Sequence, residues 1–185
     1  MSVEHKNLGV RKLYGMANGR MDSLKSKKRT RLIAFLWLLV IAVAAMIFFF
    51  SAQSGDESSK TSTGLAAFFL NLAVPGFDGL TAAEKAVYFD KIILFVRKAA
   101  HFTEFAMLGA SLRLLFHALS MRRPILVAWA GGTLYACTDE MHQMFVDGRG
   151  AMWQDVCVDS AGVLTAVLLV TLWLRWRSRR RIKKG

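Results

Sequence analysis

Cysteine is scarce: Cys137 and Cys157 are the whole complement in 185 residues, which is no disulfide framework. A bridge between them is conceivable in geometry, since both fall near the same ends of neighbouring apolar segments, but independent small packing residues are the better reading. Nearby formal charge is mostly acidic, so neither is an activated thiolate. Acids are also few, 13 against 25 lysines and arginines, leaving a net charge of +12. No nucleic-acid recognition motif lies among those bases, and they flank apolar segments, so nucleic acid is not expected as a partner. Topogenic charge and contact with anionic inner-leaflet lipid account for them. The chain lacks an activated serine or cysteine nucleophile and the His-Glu-x-x-His arrangement of zinc proteases. Its length allows a small helical bundle and no large soluble enzyme domain beside it. No small-residue cleavage site follows the first apolar run, which argues against a secretory signal.

Long apolar runs are what the chain does have. Residues 32–50 are uninterrupted and apolar, enough to cross roughly 30 Å of hydrocarbon as a helix. Further spans are expected at about 101–119, 125–137 and 156–176, the middle two imperfect because one face of each looks into the protein. Bases gather before the first span (Lys27, Lys28, Arg29, Arg31), between the second and third (Arg122, Arg123), and after the fourth (Arg177, Arg179, Arg180, Arg181). Alternate loops are therefore basic, and basic loops stay in the cytoplasm. The expected fold is all-α: a polytopic helical membrane bundle of about four transmembrane helices, with the N-terminus and C-terminus cytoplasmic. The expected organisation is a basic cytoplasmic tail over 1–31, a transmembrane domain over 32–176 and a basic cytoplasmic tail over 177–185. The first tail mixes Gly9, Gly19, Ser23 and Ser26 with bases and lacks helical periodicity, so it reads as mobile.

The first outer loop opens on Ser51-Ala52-Gln53-Ser54, hydroxyl and amide groups that cap the end of span one and by themselves imply no activity. Residues 64–74 are apolar and short, like an interfacial helix or a re-entrant piece, and Pro75-Gly76 stops them. Thr81 with Glu84 three residues on forms a capping box, from which a helix can run through Val87 and Leu94 into span two.

The informative charges are those that fall at span ends, because polar groups are costly in a bilayer. Lys98, His101 and Phe105 share one helical face, with Glu104 beside His101. Asp139, His142 and Gln143 share a face at the outer end of span three, next to Glu140; Asp155 and Asp159 align at the start of span four. Gly148-Arg149-Gly150 places a lone base among these acids, and Trp153 could line the same cavity. Span two runs inward and span three outward, so all of these groups meet in one outward-facing cavity. His117, with Arg113, reads as interfacial, and Gly131-Gly132 as a site of close helix packing.

Three segments resemble the VanZ-like family, whose first member was associated with resistance to the glycopeptide teicoplanin. They are Lys98-Ala99-Ala100-His101-Phe102-Thr103-Glu104-Phe105, Asp139-Glu140-Met141-His142-Gln143-Met144-Phe145, and Gly148-Arg149 with Asp155. The resemblance extends from span one, including Ser51-Ala52-Gln53-Ser54, to the end of span four. It implies a multi-pass protein of the bacterial cell membrane with an envelope role, without a settled reaction. Phe105 stands where the family often has tyrosine, and Asp159 where asparagine is common, which adds a carboxylate to the site.

Three readings fit these residues. In the preferred one the cavity binds an envelope lipid or lipid-linked precursor, with consequences for glycopeptide susceptibility. Lys98 and Arg149 would hold a phosphate or carboxylate, and Gln143, Trp153, Asp155 and Asp159 would complete the cradle. In the second the site is an enzyme acting on an envelope amphiphile. His101 or His142 would move a proton, oriented by Glu104, Asp139 or Glu140. His101, His142 and one carboxylate could instead bind a divalent metal such as zinc. A structural ion-pair network, or a regulatory role with a membrane-protein partner, is the third reading.

Overall fold

The computed structural model describes residues 2–183, and the side chains of residues 23–89 and 92–183. Five α-helices follow one another: α1 (Ser2–Ser51), α2 (Gly55–Ala73), α3 (Ala82–Ala118), α4 (Pro124–Gln143) and α5 (Trp153–Ile182), with a short 3-10 turn at Phe77–Gly79 between α2 and α3. The fold is all-α. Among the described residues two stretches, Ser23–Ser51 and Trp153–Ile182, are long and apolar enough to cross a membrane. Within their apolar stretches, α3 carries His101, Glu104 and Arg113, and α4 carries Asp139 and Glu140.

The backbone of α1 is helical from Ser2, where the missing periodicity predicted an irregular tail. Lysine, arginine, leucine and methionine are good helix formers, and an apolar helix already nucleated downstream extends through them without needing an apolar face. The side chains of residues 1–22, on which the expectation of a mobile tail falls, lie outside the described residues.

The hydroxyl-rich segment after α1 does not stay a loop. Ser54 and Glu57 form a capping box, and Ser59, Thr61 and Thr63 return their hydroxyls to the carbonyls of Gly55, Glu57 and Ser59. With their hydroxyls satisfied on the helix itself, these residues join the apolar 64–73 segment in α2. Gly76, at φ 77°, turns the chain after it. The capping box read at Thr81 is present: the Thr81 N–H donates to Glu84 Oε2 at 2.9 Å, and the Glu84 N–H donates to Thr81 Oγ1. From there α3 runs unbroken to Ala118.

Helix α3 packs against each of the other four helices. The core joins Leu36, Val40 and Ile47 of α1 to Phe105, Leu108 and Leu115 of α3, Ala128 and Ala136 of α4, and Val163 and Val167 of α5. Two glycines let α3 and α5 touch backbone to backbone. A Cβ at Gly109 would lie 2.6 Å from the Val163 carbonyl oxygen, and one at Gly162 would collide with the Phe102 carbonyl. Small residues at such crossings are how helices approach closely without large side chains between them. Of the expected Gly131-Gly132 pair, Gly132 meets the Val163 side chain and Gly131 faces little. Large apolar side chains, among them Phe35, Leu38, Phe49, Leu169 and Leu172, point out of the bundle. Cys137 and Cys157 are free and also exposed, so they are not the packing residues expected.

At one end of the bundle Arg29 donates to the Ala118 carbonyl at 3.2 Å and to Ser120 Oγ at 3.1 Å, fastening the basic end of α1 to the end of α3. Because the chain reverses at each connection, Ser51, the start of the α3 core segment, the end of α4 and the start of α5 all lie at the opposite end.

Candidate functional site

The opposite end is built around a buried carboxylate. Asp139, 4% exposed, accepts at Oδ2 from Ser51 Oγ at 2.9 Å and from Gln143 Nε2 at 3.0 Å. Gln143 also donates to Ser51 Oγ at 2.8 Å, closing a triangle between α1 and α4. An ionised or polar group in so little solvent needs such partners. Asp159, on the first turns of α5, is fully buried and has neither carboxyl oxygen hydrogen-bonded among the described residues. Its Oδ1 faces His101 Nδ1 at 3.8 Å, too far for a hydrogen bond. His101, Asp139 and Asp159 each offer a ligand atom within 4.8 Å of the others, a group able to coordinate a metal ion.

A cavity of about 260 Å³ opens over this floor. Its walls carry Arg97, Lys98 and Arg149 together with Asp155 and Asp159, so bases outnumber acids there. Lys98 Nζ is held by Asp155 Oδ1 at 2.6 Å, an ion pair between α3 and α5. Arg149 comes from the α4–α5 loop. The left-handed Gly148 (φ 72°) beside it packs on Gly55, whose N–H donates to the Asp147 carbonyl at 2.9 Å. Arg149 Nη2 reaches the Phe50 carbonyl at 3.4 Å, while its Nε and Nη1 are buried without a hydrogen-bond partner among the described residues. Burial, and then the neighbouring Arg97, push the Arg149 guanidinium below its ordinary pKa. A guanidinium in this state still carries its charge and is short of acceptors.

Two further hollows continue from the cavity. A cleft of about 170 Å³ between α1, α2 and α3 shares Arg97, His101 and Arg149 with it. The cleft shares Leu65, Val96, Ala100 and Glu104 with an open apolar groove of about 550 Å³ between α2 and α3. Phe69, Ile92 and Phe95 line the rest of that groove, where Glu104 is the sole acidic group. Glu104 thus stands at the passage from polar to apolar space.

Not every residue read from the sequence joins this site. His142 does not: its ring lies on Phe48, centroids 4.7 Å apart, so the metal-capable group contains Asp139 and Asp159 in its place. Glu140 is buried, and its Oε2 accepts the Met152 N–H at 2.8 Å, anchoring the loop that leads into α5. Trp153 is 73% exposed and turned outward, and Met152 lines the cavity instead. Phe105, fully buried, puts an unsubstituted ring against Tyr135, whose hydroxyl donates to the Ala44 carbonyl at 2.7 Å.

Sequence reasoning passed over Ser51 as a cap and did not single out Arg97. It also read Arg113 as interfacial. Arg113 is 5% exposed, and its Nε donates to Thr171 Oγ1 at 2.8 Å across the α3–α5 contact. Arg113 lies one helical turn beyond Gly109, on the side of α3 that meets α5.

The family model for VanZ/LLP1 matches residues 35–174. No curated protein and no solved structure matches the chain.

Proposed function

The chain belongs to the VanZ/LLP1 family, and from that premise we propose that it is a four-span protein of the bacterial cell membrane which holds an anionic envelope amphiphile at the outer leaflet. In this proposal α1, α3, α4 and α5 cross the membrane over the domain 32–176, and α2 lies along the outer interface. Basic residues at one end of the bundle support cytoplasmic termini and cytoplasmic tails at 1–31 and 177–185. Trp153, turned outward, then sits at the outer headgroup level, where indoles concentrate.

The observation that carries the proposal is the continuity of the three hollows. His101 and Arg149 belong to both cavity and cleft, and Glu104 to both cleft and groove. A molecule with a charged head and an apolar tail fits that sequence of surfaces. Its phosphate would take the unpartnered donors of Arg149, with Arg97 and Lys98 adding positive potential. Its acyl or prenyl chain would leave along Leu65, Phe69 and Phe95 into lipid. Holding a lipid-linked envelope precursor in this way is the route by which such a protein would alter glycopeptide susceptibility.

Catalysis on the same amphiphile is the second reading, favoured by His101 and the buried Asp159 facing each other on the cavity lining. It would use His101 as proton carrier, with Glu104 at the edge of the head site and Asp139 behind it. Ser51 gives little support to a nucleophile, because it is almost fully buried and its oxygen is engaged by Gln143 Nε2.

Native mass spectrometry of the purified protein in nanodiscs, against bacterial envelope lipids, tests the proposal. We expect selective retention of a phosphate-bearing lipid, lost in folded His101→Ala, Glu104→Ala and Arg149→Ala variants. A covalently altered lipid would favour the enzyme. Absence of any selective lipid, with folding intact, would overturn the proposal in favour of a structural ion-pair network or a missing membrane-protein partner.

A further inference from the structure

The floor of the cavity has a chemistry that the basic walls do not explain. Asp159 is fully buried, and both of its oxygens lack hydrogen-bond partners among the described residues. His101 Nδ1, equally buried and unpartnered, faces it at 3.8 Å. Asp139 completes the group, with every ligand atom within 4.8 Å of the others. Bare buried polar atoms are costly, and three of them converging on one point mark a place where something else satisfies them.

We propose that His101, Asp139 and Asp159 bind a zinc ion. An imidazole nitrogen and two carboxylate oxygens are the donor types of open zinc sites, which use three protein ligands and leave a fourth position free. Zinc bonds of about 2.0–2.1 Å to nitrogen and oxygen at tetrahedral angles bring neighbouring donors to about 3.4 Å of one another. The His101–Asp159 distance of 3.8 Å lies a few tenths of an ångström, about a side-chain adjustment, outside that separation. Asp139, within 4.8 Å of the other two donors, draws closer on binding, and Ser51 and Gln143 give its carboxylate the kind of outer support that ligating groups require.

The bases nearby do not occupy the site: Lys98 is bound to Asp155, and Arg149 reaches toward the Phe50 carbonyl. His101 and Asp159 line the cavity as well, so the free coordination position faces the head of a bound amphiphile. Coordination of a headgroup oxygen rests on the lipid-binding proposal; capture of zinc does not.

Zinc alone tests it. The full chain, stripped with chelator in phospholipid-free detergent, is titrated against a chromophoric zinc chelator, and cobalt is used as an absorbance probe of coordination. The wild type takes up a single zinc ion per chain, cobalt gives the visible bands of a four-coordinate site, and zinc raises the melting temperature. Asp159→Asn keeps the side-chain volume and the fold but loses zinc affinity by at least about tenfold, as does His101→Gln. His142→Ala leaves zinc binding unchanged. Wild-type affinity in Asp159→Asn, or dependence on His142, would overturn the ligand set. A folded wild type that takes up no zinc would overturn the site. Lipid retention is scored separately without metal, so failure of one proposal is distinguishable from failure of the other.

Discussion

Ser51 and Asp139 stand 88 residues apart in the chain and 2.9 Å apart in the fold, and their hydrogen bond ties the end of α1 to the end of α4. Both are almost completely buried. Ser51→Ala removes one of the donors that hold the Asp139 carboxylate and should destabilise the bundle by about 1–3 kcal/mol, the cost of a buried polar group losing its partner. Thermal unfolding in detergent measures this, and an unchanged midpoint would mean that Asp139 finds another donor.

The α3–α5 crossing predicts a sharp difference between glycines. Gly109 and Gly162 meet opposing backbone, whereas Gly64 meets nothing within 4 Å. Gly109→Val or Gly162→Val should cost at least about 1–3 kcal/mol by overpacking. Gly64→Ala should be neutral or slightly stabilising, because alanine is the better helix former. Equal tolerance at all three positions would contradict the packing described.

Arg149 has buried donors without acceptors, while Lys98 is already paired. Arg149→Gln should therefore weaken binding of a phosphate-bearing lipid more than Lys98→Gln does. A lost charge-assisted hydrogen bond of about 1.5–3 kcal/mol corresponds to roughly tenfold or more in affinity. Titration of a short-chain phospholipid or polyprenyl phosphate into each variant gives the order, and the reverse order would contradict the role assigned to Arg149.

Topology is tested by the termini and one loop. A fluorescent protein fused after the last helix should fluoresce in the cytoplasm. A cysteine placed at Asp147, in a Cys137→Ser and Cys157→Ser background, should react with an impermeant thiol reagent added outside intact cells. Labelling only after membrane disruption would invert the proposed orientation.

Much of this was legible because burying polar groups is costly, so Lys98, His101, Asp139, Asp155 and Asp159 at the ends of apolar runs announced a common site. What stayed hidden followed from angles and context. A helix turns about 100° per residue, so Asp139 and Gln143 lie within about 40° of each other, while His142 falls about 60° to the other side of Asp139 and lands on Phe48. Ser51 looked like a cap because hydroxyls at helix ends usually are; only its burial against Asp139 distinguishes it. Trp153, the first residue of α5, faces out, and Met152 before it lines the cavity. The basic stretch before the first span showed no periodicity, yet the backbone of α1 runs through it, since helix propagation from an apolar nucleus needs none.

The central claim is that an amphiphile lies with its head against Arg149 and its tail between α2 and α3. Photo-crosslinking with a phospholipid bearing a diazirine on its acyl chain tests this most directly. Labelling is predicted at Leu65, Phe69 and Phe95, reduced in Arg149→Gln. Labelling spread evenly over the outward faces of α1 and α5, and indifferent to Arg149, would contradict it.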